Sequence, residues 1–334
     1  MSNITTSVII PSRNCKYVSR TIQDVFEKAG GPIEVICLLD GYYPDPPIKD
    51  HPNLTIVHKP EVTGMRKSIN MGVQLAKGKY ICKMDDHTMV GENFDRIISE
   101  SIDDDWLAVP SRYSLDPEKW EKGRGPTEYL FVTYPYNHDN LYGNGLHGKK
   151  WIGEDGIGKN MGKTEFYWME DHRKDKRIDD LQTFQGSFWA MSKEHYFRIG
   201  MLDEKHCDLM ENEPQELGFK TFLSGGRCVL IKDAWHAHMH KNERELDNRG
   251  RSWKLSWQAM RDTGRFQTFV WMNNRWAGAT KKIEDFVEHF WPIPSWPSDW
   301  ISQRDQWNKE HPEMNTNFRI FDPDGHDGLP LRET

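Results

Sequence analysis

Short apolar segments alternate with helix-like segments through the first 85 residues, and this alternation limits the chain to few folds. The segments TSVIIPS, IEVICLLDG, LTIVHKP and YICKM are typical of buried strands, whereas YVSRTIQDVFEKAGG and GMRKSINMGVQLAKG space their apolar residues as helices do. Strands that alternate with helices form βαβ units, in which helices cover both faces of a mostly parallel sheet. The sequence therefore predicts an α/β fold.

Polar residues stand at the end of several predicted strands. PSRN follows the first strand, Asp40 ends the second, and Asp85, Asp86 and His87 follow YICKM. In open α/β sheets, ligands bind beyond the carboxyl ends of the strands. We therefore expect the ligand site at this edge of the sheet.

Two clusters in the sequence have the composition of a metal site. Side chains two residues apart in an extended segment point the same way, so Asp85 and His87 could offer an oxygen and a nitrogen to one cation. The segment WHAHMH repeats this spacing with His236, His238 and His240. Such ligands suit Mn²⁺ or Mg²⁺ on a diphosphate, with zinc as the competing metal. The alternatives are an Asp-rich turn and ordinary surface or core histidines.

The rest of the chain is less regular. We interpret residues 110–180, which are rich in Gly, Tyr, Trp and charge, as long irregular loops that include a substrate lid. A helix with Leu217 and Phe219 on its apolar face should end at Gly225 and Gly226. The residues after about 312 read as an extended polar arm.

The charge, the cysteine content and the N-terminal residues bear on where in the cell the protein would act. The 334 residues carry a formal net charge of −7, which gives no general attraction to nucleic acid or anionic lipid. The five cysteines are odd in number and scattered, as reduced thiols are. The first residues lack the pattern of a signal peptide, and no long apolar run follows. We expect a soluble, cytoplasmic protein without a transmembrane segment.

The ordered set of motifs resembles a known family. VIIPSRN, LLDG, GMRKSINMGVQLAKGKYICKMDDH, GSFWAMSKEHYFRIGMLDE, EPQELGFKTFLSGG and HAH together resemble a GT-A-fold glycosyltransferase of the family 2 kind, over about residues 5–240. The metal motif is most similar to that of the polypeptide N-acetylgalactosaminyltransferases. The resemblance implies a GT-A, Rossmann-like mixed and mostly parallel sheet flanked by helices. It divides the chain into a GT-A domain at 1–240, with a nucleotide-binding half at 1–110 and an acceptor and catalytic half at 110–240, and a helical, aromatic-rich C-terminal extension at 241–334.

The resemblance also implies residue roles around the donor. Asp85 and His87 match the two metal ligands of the DxD-like motif, and His238, twelve residues beyond Gly226, matches the third. The alternative explanation for the residues assigned to the nucleotide is that they only form turns between a strand and a helix. The residues that match contacts to the nucleotide or its phosphates are Pro11, Ser12, Arg13, Asp40, Arg66 and Asp86.

The catalytic carboxylate is implied by the segment ENEPQE. Glu213 and Glu216 match the family's acidic element at a helix start, with Glu211 and Asp208 just upstream. Pro214 stands where many inverting relatives have the aspartate that acts as base, so we rank Glu213 first for that role. Acidic residues that complement a helix N-terminus are the alternative explanation. Gly186 in QGSFW would let the backbone approach the sugar.

These roles imply a metal-dependent hexosyl- or pentosyltransferase. It would move a sugar from a nucleoside-diphosphate sugar, most simply a UDP-sugar, to an acceptor hydroxyl with inversion. The acceptor would be a cytoplasmic saccharide, a lipid-linked precursor or a hydroxymethylated DNA base. The alternatives are a sugar-1-phosphate nucleotidyltransferase, a non-catalytic nucleotide-sugar-binding module and a metallohydrolase.

Residues 241–275 have a composition that could bind the acceptor. They hold eight Lys or Arg residues against four acidic ones, interleaved with aromatic residues such as Trp253, Trp257, Phe266, Phe269 and Trp271. Cations and aromatics of this kind stack on sugars or on bases. An amphipathic helix that buries its aromatic residues in a core is the alternative.

Overall fold

The computed structural model describes residues 4–136, 146, 148–150, 175–207, 212–239 and 257–312. Strands and helices are numbered separately in chain order. The strands are β1 (Thr6–Ser12), β2 (Ile33–Asp40), β3 (Leu54–Lys59), β4 (Tyr80–Met84), β5 (Thr88–Val90), β6 (Trp106–Asp116), β7 (Glu121–Lys122), β8 (Leu130–Val132), β9 (Gly148–Lys150), β10 (Ile178–Asp180), β11 (Phe188–Ser192) and β12 (Arg227–His238). The helices are α1 (Val18–Lys28), α2 (Met65–Leu75), α3 (Phe94–Ser99), α4 (Lys193–Arg198), α5 (Glu213–Leu223), α6 (Trp257–Met272), α7 (Ile283–Phe290) and α8 (Trp300–Glu310).

The N-terminal part of the main sheet is parallel, as predicted. Its strands lie in the order β3-β2-β1-β4, and β1 pairs in parallel with both β2 and β4. Residues of β1 and β2 are buried throughout, since helices cover both faces of these strands. The four strands and the helices α1 and α2 coincide with the segments that the periodicity predicts.

The second part of the sheet is mixed. β11 lies between β4 and β6 and is antiparallel to both, while β12 is parallel to β6 and antiparallel to the edge strand β10. The whole order is β10-β12-β6-β11-β4-β1-β2-β3. This arrangement confirms the predicted mixed sheet flanked by helices.

Two apolar clusters lie on opposite faces of the sheet. Because side chains alternate along a strand, Ile9 of β1 belongs to one cluster, whereas Val8 and Ile10 belong to the other. The cluster around Ile9 also contains residues of α2, α4 and α5 and of the C-terminal helices α6, α7 and α8. The C-terminal helices therefore share a core with the residues that precede them.

The segment 110–180, which we predicted to consist of long irregular loops, contains several strands. β6 continues to Asp116, and β7, β8, β9 and β10 begin within the segment. Of the predicted substrate lid, residues 137–145, 147 and 151–174 lie outside the described residues, as does the polar arm after residue 312. Among the described helices, none is long and apolar enough to cross a membrane.

Candidate metal and donor site

The pairing of β5 with β12 brings distant residues together at the carboxyl end of β4. β4 ends at Met84, so Asp85, Asp86 and His87 form the turn that leads into β5. β5 runs antiparallel to β12 with Thr88 opposite His238, and the His87 carbonyl accepts from the Met239 N–H at 3.3 Å. The turn after β4 is therefore held against the end of β12.

Asp85, His87 and His238 converge in this arrangement. His238 Nε2 lies 3.1 Å from Asp85 Oδ2, and His87 Nε2 lies 4.0 Å from the same oxygen. One ligand atom from each residue lies within 4.8 Å of the others. We refer to these three residues as the metal triad. Their side chains are between 7% and 24% exposed, so the triad faces solvent from a largely buried position.

The protonation states of Asp85 and His238 suit a divalent cation. Burial opposes the charge on Asp85, but Lys83, His238 and His87 outweigh it and hold the pKa of this carboxyl well below its usual range. Burial lowers the pKa of His238 to about 3, so its imidazole is neutral at neutral pH. An ionised carboxylate and a neutral imidazole are the forms that bind metals. The residues present therefore fit a divalent cation.

The Asp86 carboxylate contacts the His87 ring at Nδ1, the nitrogen that is farther from Asp85. Its Oδ1 lies 2.6 Å from His87 Nδ1, and its Oδ2 accepts from the Arg13 backbone N–H at 3.3 Å. When Asp86 is ionised it can only accept, so this contact selects the tautomer with the proton on Nδ1 and the lone pair of Nε2 on the side of Asp85. Orientation of a ligating histidine by a carboxylate is common around metals. Asp86 is thus placed to orient a metal ligand, and its predicted contact with the donor stays a prediction.

The neighbouring histidines lie differently from the triad. His236 is fully buried and its Nε2 is 2.9 Å from Ser187 Oγ. Burial, followed by the nearby His238 and Arg112, lowers the pKa of His236 well below the usual value, so this imidazole is neutral. His236 packs behind the triad, and His240 lies outside the described residues.

Lys83 is a member of the site that the sequence reasoning missed. Its side chain is 1% exposed, and its ammonium donates to Asp85 Oδ1 at 2.8 Å and to the Gly186 carbonyl at 2.5 Å. The same Nζ lies 3.5 Å from Glu213 Oε2. Lys83 therefore links the metal triad to the predicted base. A lysine inside the otherwise apolar segment YICKM is the signal that could have revealed it.

Glu213 lies at the start of α5, next to the backbone of Gly186. Its Oε1 accepts from Trp189 Nε1, and burial raises the pKa of this carboxyl, against the opposing effect of Lys83. A Cβ at Gly186 would meet Glu213 Oε2 at 3.0 Å, so a side chain there would crowd the carboxylate. Pro214 fits the first turn of α5, where no intrahelical N–H is needed. Glu211 and Asp208 lie outside the described residues.

Glu216 and Arg66 form a buried ion pair rather than an open pair of ligand groups. Glu216 is fully buried and contacts Arg66 through Oε2, and its Oε1 lies 2.7 Å from Lys220 Nζ. The Asp203 N–H and Gln267 Nε2 also donate to Glu216, at 2.8 Å and 3.2 Å. Both carboxylate oxygens are therefore engaged, which favours a structural role. The predicted ligand contacts of Arg66 and Glu216 stay predictions.

The remaining donor candidates lie at the ends of β1 and β2. Pro11 is buried and lies beyond Ile9, the last β1 residue that pairs with β4. Ser12 Oγ contacts the Tyr42 hydroxyl, and Arg13 Nη1 donates to the Asp40 carbonyl at 2.6 Å.

The Asp40 side chain points into the protein. It is fully buried, with Oδ1 2.8 Å from Lys59 Nζ and 2.9 Å from the Thr63 N–H, and Oδ2 accepts from the Gly64 N–H. Asp40 thus anchors the start of α2. Its predicted contact with the nucleotide stays a prediction, because the described contacts of its carboxylate are with protein groups.

The family of the chain follows from its sequence profile together with this fold. The profile of glycosyl transferase family 2 matches residues 7–196, which is more than half of the chain. The chain therefore belongs to glycosyl transferase family 2. The matched range contains Asp85 and His87 and ends before Glu213 and His238.

Individual relatives agree with this assignment. The chain is 21% identical over 198 residues to a Drosophila melanogaster protein named as polypeptide N-acetylgalactosaminyltransferase 13, a match that covers 58% of this chain and 31% of that protein. The chain thus spans about a third of the length of that curated relative.

Two solved structures share the fold. GalNAc-T7, solved with UDP, GalNAc and Mn²⁺, superposes with a TM-score of 0.59 at 17% identity over 98% of this chain and 58% of that chain. Residues 1–349 of Staphylococcus aureus TarS, in complex with UDP-GlcNAc, superpose with a TM-score of 0.50 at 13% identity over 85% of this chain and 69% of that chain. These likenesses confirm the GT-A architecture predicted from the sequence.

Proposed function

We propose that the chain is a metal-dependent glycosyltransferase that moves a sugar from a UDP-sugar to an acceptor hydroxyl with inversion. The observation that carries the proposal is the convergence of Asp85, His87 and His238 at the carboxyl ends of β4 and β12. This is the edge at which α/β sheets bind ligands. That GalNAc-T7 was solved with UDP and Mn²⁺, and TarS with UDP-GlcNAc, supports the choice of donor and of metal.

The chain's own residues would hold the donor for reaction. Asp85, His87 and His238 would bind Mn²⁺ or Mg²⁺, and Asp86 would keep His87 in the tautomer that offers Nε2. When bound, such a cation supplies positive charge that stabilises a departing diphosphate. Lys83 would fix Asp85 through Oδ1, so that Oδ2 stays on the side of the two histidines.

Glu213 is our candidate for the base that inversion requires. Its burial raises the pKa of the carboxyl, and a base is most effective when its pKa approaches the working pH. Lys83 and the Trp189 indole hold the carboxylate in one orientation, next to Gly186. In the proposed reaction Glu213 accepts the proton of the acceptor hydroxyl as the new glycosidic bond forms and the bond from the sugar to the diphosphate breaks, which releases UDP.

The acceptor in this proposal is a saccharide or a lipid-linked saccharide precursor. Phe266, Phe269 and Trp271 are between 0% and 5% exposed and belong to the core, so they do not form a stacking surface for bases. This burial removes one argument for a hydroxymethylated DNA base, which remains an acceptor to be screened. The five free cysteines favour a reducing compartment, and we propose the cytoplasm.

We propose a separate role for each part of the chain. Residues 1–110 would bind the nucleotide, 110–240 would supply His238 and the base, and the 241–334 extension would complete the core behind α5. The shared apolar cluster of α5 with α6 and α7 supports this role for the extension.

Calorimetry tests the proposal directly. UDP and a panel of UDP-sugars are titrated into the wild type, Asp85→Ala and His238→Ala, each with and without Mn²⁺. We expect UDP binding that depends on Mn²⁺ in the wild type and a loss of that dependence in both variants, because each removes one ligand of the metal triad.

Matched controls distinguish this loss from general damage. His289 and Asp180 form an imidazole–carboxylate pair at 3.2 Å elsewhere on the surface, so His289→Ala should bind Mn²⁺ and UDP as the wild type does. Asp233→Ala, which breaks an exposed pair with Arg177, serves the same purpose for the aspartate. If the folded wild type binds no nucleotide with or without Mn²⁺, the proposal is wrong.

A further inference from the structure

A second group of metal-binding side chains lies directly behind the metal triad. Cys15, in the loop after β1, packs against the turn after β4, and its thiol donates to the Asp86 carbonyl at 3.3 Å. Cys15, Asp86 and His87 each offer a ligand atom within 4.8 Å of the other two, and all three are buried. The sulfur distinguishes this group from the metal triad, which offers oxygen and nitrogen alone.

We propose that Cys15, Asp86 and His87 form a second cation site, selective for thiophilic divalent metals such as Zn²⁺. We refer to it as the thiolate site. It is separate from the metal triad in its ligands, except that both use His87. The effect of this site on Mn²⁺ binding rests on the proposed function, whereas the binding of zinc by Cys15 does not.

The two nitrogens of His87 allow this sharing. Nδ1 lies 2.6 Å from Asp86 Oδ1, whereas Nε2 lies 4.0 Å from Asp85 Oδ2. A metal in the thiolate site would take the Nδ1 side, together with the Asp86 carboxylate and the Cys15 sulfur. As the metal–sulfur bond forms, the thiol proton passes to the solvent, and the proton on Nδ1 moves to Nε2, so that the imidazole stays neutral. Sulfur, imidazole and carboxylate are the ligands that zinc takes in proteins.

Occupation of the thiolate site would weaken the metal triad. A cation on Nδ1 would remove the hydrogen bond by which Asp86 orients His87, and would add positive charge beside Asp85. Loss of such an orienting partner typically costs about 10–100-fold in metal affinity. Zn²⁺ should therefore antagonise Mn²⁺ from a neighbouring position, in addition to any direct competition within the triad.

Cobalt(II) reports on the thiolate site without an activity assay. We would titrate Co²⁺ into the full chain and record the near-ultraviolet band that arises when a thiolate binds cobalt. We expect the band in the wild type and its loss in Cys15→Ser and Cys15→Ala. Cys15→Ser should weaken Zn²⁺ binding, measured against a chromophoric chelator, by about tenfold or more while Mn²⁺ affinity stays within about twofold.

Two further variants complete the test. Cys228→Ala removes a buried free thiol of β12 near Asp180 and should keep the band. His238→Ala should keep the band while it loses Mn²⁺ affinity. The absence of the band from the wild type overturns the thiolate site whether or not the Cys15 variants fold, and a band that survives in folded Cys15→Ala also overturns it.

The outcome is independent of the proposed function. A cobalt–thiolate band without Mn²⁺-dependent UDP binding supports the thiolate site and contradicts the transferase. Mn²⁺-dependent UDP binding without the band leaves the transferase and overturns the thiolate site.

Discussion

At the scale of single residues, Lys83 is a buried member of the site whose contacts the sequence alone did not predict. Burial opposes the charge on its ammonium, but Asp85 and Glu213 outweigh it and raise the pKa of Lys83. The spacing of aspartates and histidines suggests Asp85, His87 and a cluster of three histidines, and the family resemblance selects His238 from that cluster. Asp85, His87 and His238 converge in the structure. The contacts of Lys83 with the Gly186 carbonyl and with Glu213 could not be predicted, because they depend on the segment before β11 and on the start of α5.

The proposed base gives a prediction at this scale. In Glu213→Gln the acceptor hydroxyl loses the group that takes its proton, so we expect kcat to fall by about 10²–10⁴-fold. The acidic limb of the pH–rate profile should disappear as well, since activity in the wild type rises as the Glu213 carboxyl ionises. Steady-state kinetics as a function of pH measure both effects.

Binding data separate loss of the base from loss of the site. UDP and Mn²⁺ affinities of Glu213→Gln should stay close to those of the wild type, since the amide remains within reach of Trp189 Nε1. An unchanged kcat, or a pH–rate profile that keeps its acidic limb, would assign the base to another residue.

At the scale of elements, local patterns predicted the strands of the first half well. β1 to β4 and the helices α1 and α2 lie where the apolar spacing places them, since apolar residues of each segment pack in or against the two apolar clusters. The antiparallel insertion of β11 between β4 and β6 has no such local signal, because it depends on pairing over about 100 residues. Asp40 and Glu216 were likewise recognised as polar residues at element ends, but their ion-pair partners were not.

The pair of Arg66 with Glu216 joins α2 to α5 and gives a prediction about stability. Glu216→Gln leaves two buried cations, Arg66 and Lys220, without their carboxylate, so we expect a loss of about 3–5 kcal/mol in the free energy of unfolding. Arg66→Met should cost less, because Glu216 keeps Lys220. Urea denaturation of the wild type and the variants measures these free energies.

The double variant tests whether these residues act together. Arg66→Met with Glu216→Gln should lose less stability than the sum of the two single variants, by about 1–3 kcal/mol, because the double variant no longer contains the Arg66 charge that Glu216→Gln leaves uncompensated. Strict additivity would show that the two side chains stabilise α2 and α5 independently.

At the scale of the whole molecule, buried histidines couple folding to pH. His195 is fully buried, with Nδ1 accepting from Arg198 at 2.8 Å and Nε2 3.2 Å from Thr221 Oγ1. Burial, followed by the charge of Arg198, lowers the pKa of His195 to about 4. Between about pH 4 and 6.5 the unfolded chain therefore binds more protons at this position than the folded one, and stability falls as the pH falls.

This coupling can be measured against a variant that cannot titrate. Between pH 7 and pH 5 the His195 contribution to the free energy of unfolding should decrease by about 2 kcal/mol, so His195→Gln should lose that much less than the wild type over the same range. His51→Gln removes an exposed histidine and serves as the control. Parallel stability–pH curves for His195→Gln and the wild type would contradict the prediction.

The pairing of β5 with β12 also has a consequence for how the protein is made. A ribosome that has completed residues 1–110 has produced Asp85 and His87, but the strand that carries His238 is still more than a hundred residues away. The nascent chain of residues 1–110 thus contains two of the three residues of the metal triad and cannot complete the proposed cation site. In the proposed metal-dependent enzyme, all three ligands would therefore be available to the metal only after β12 has joined the sheet.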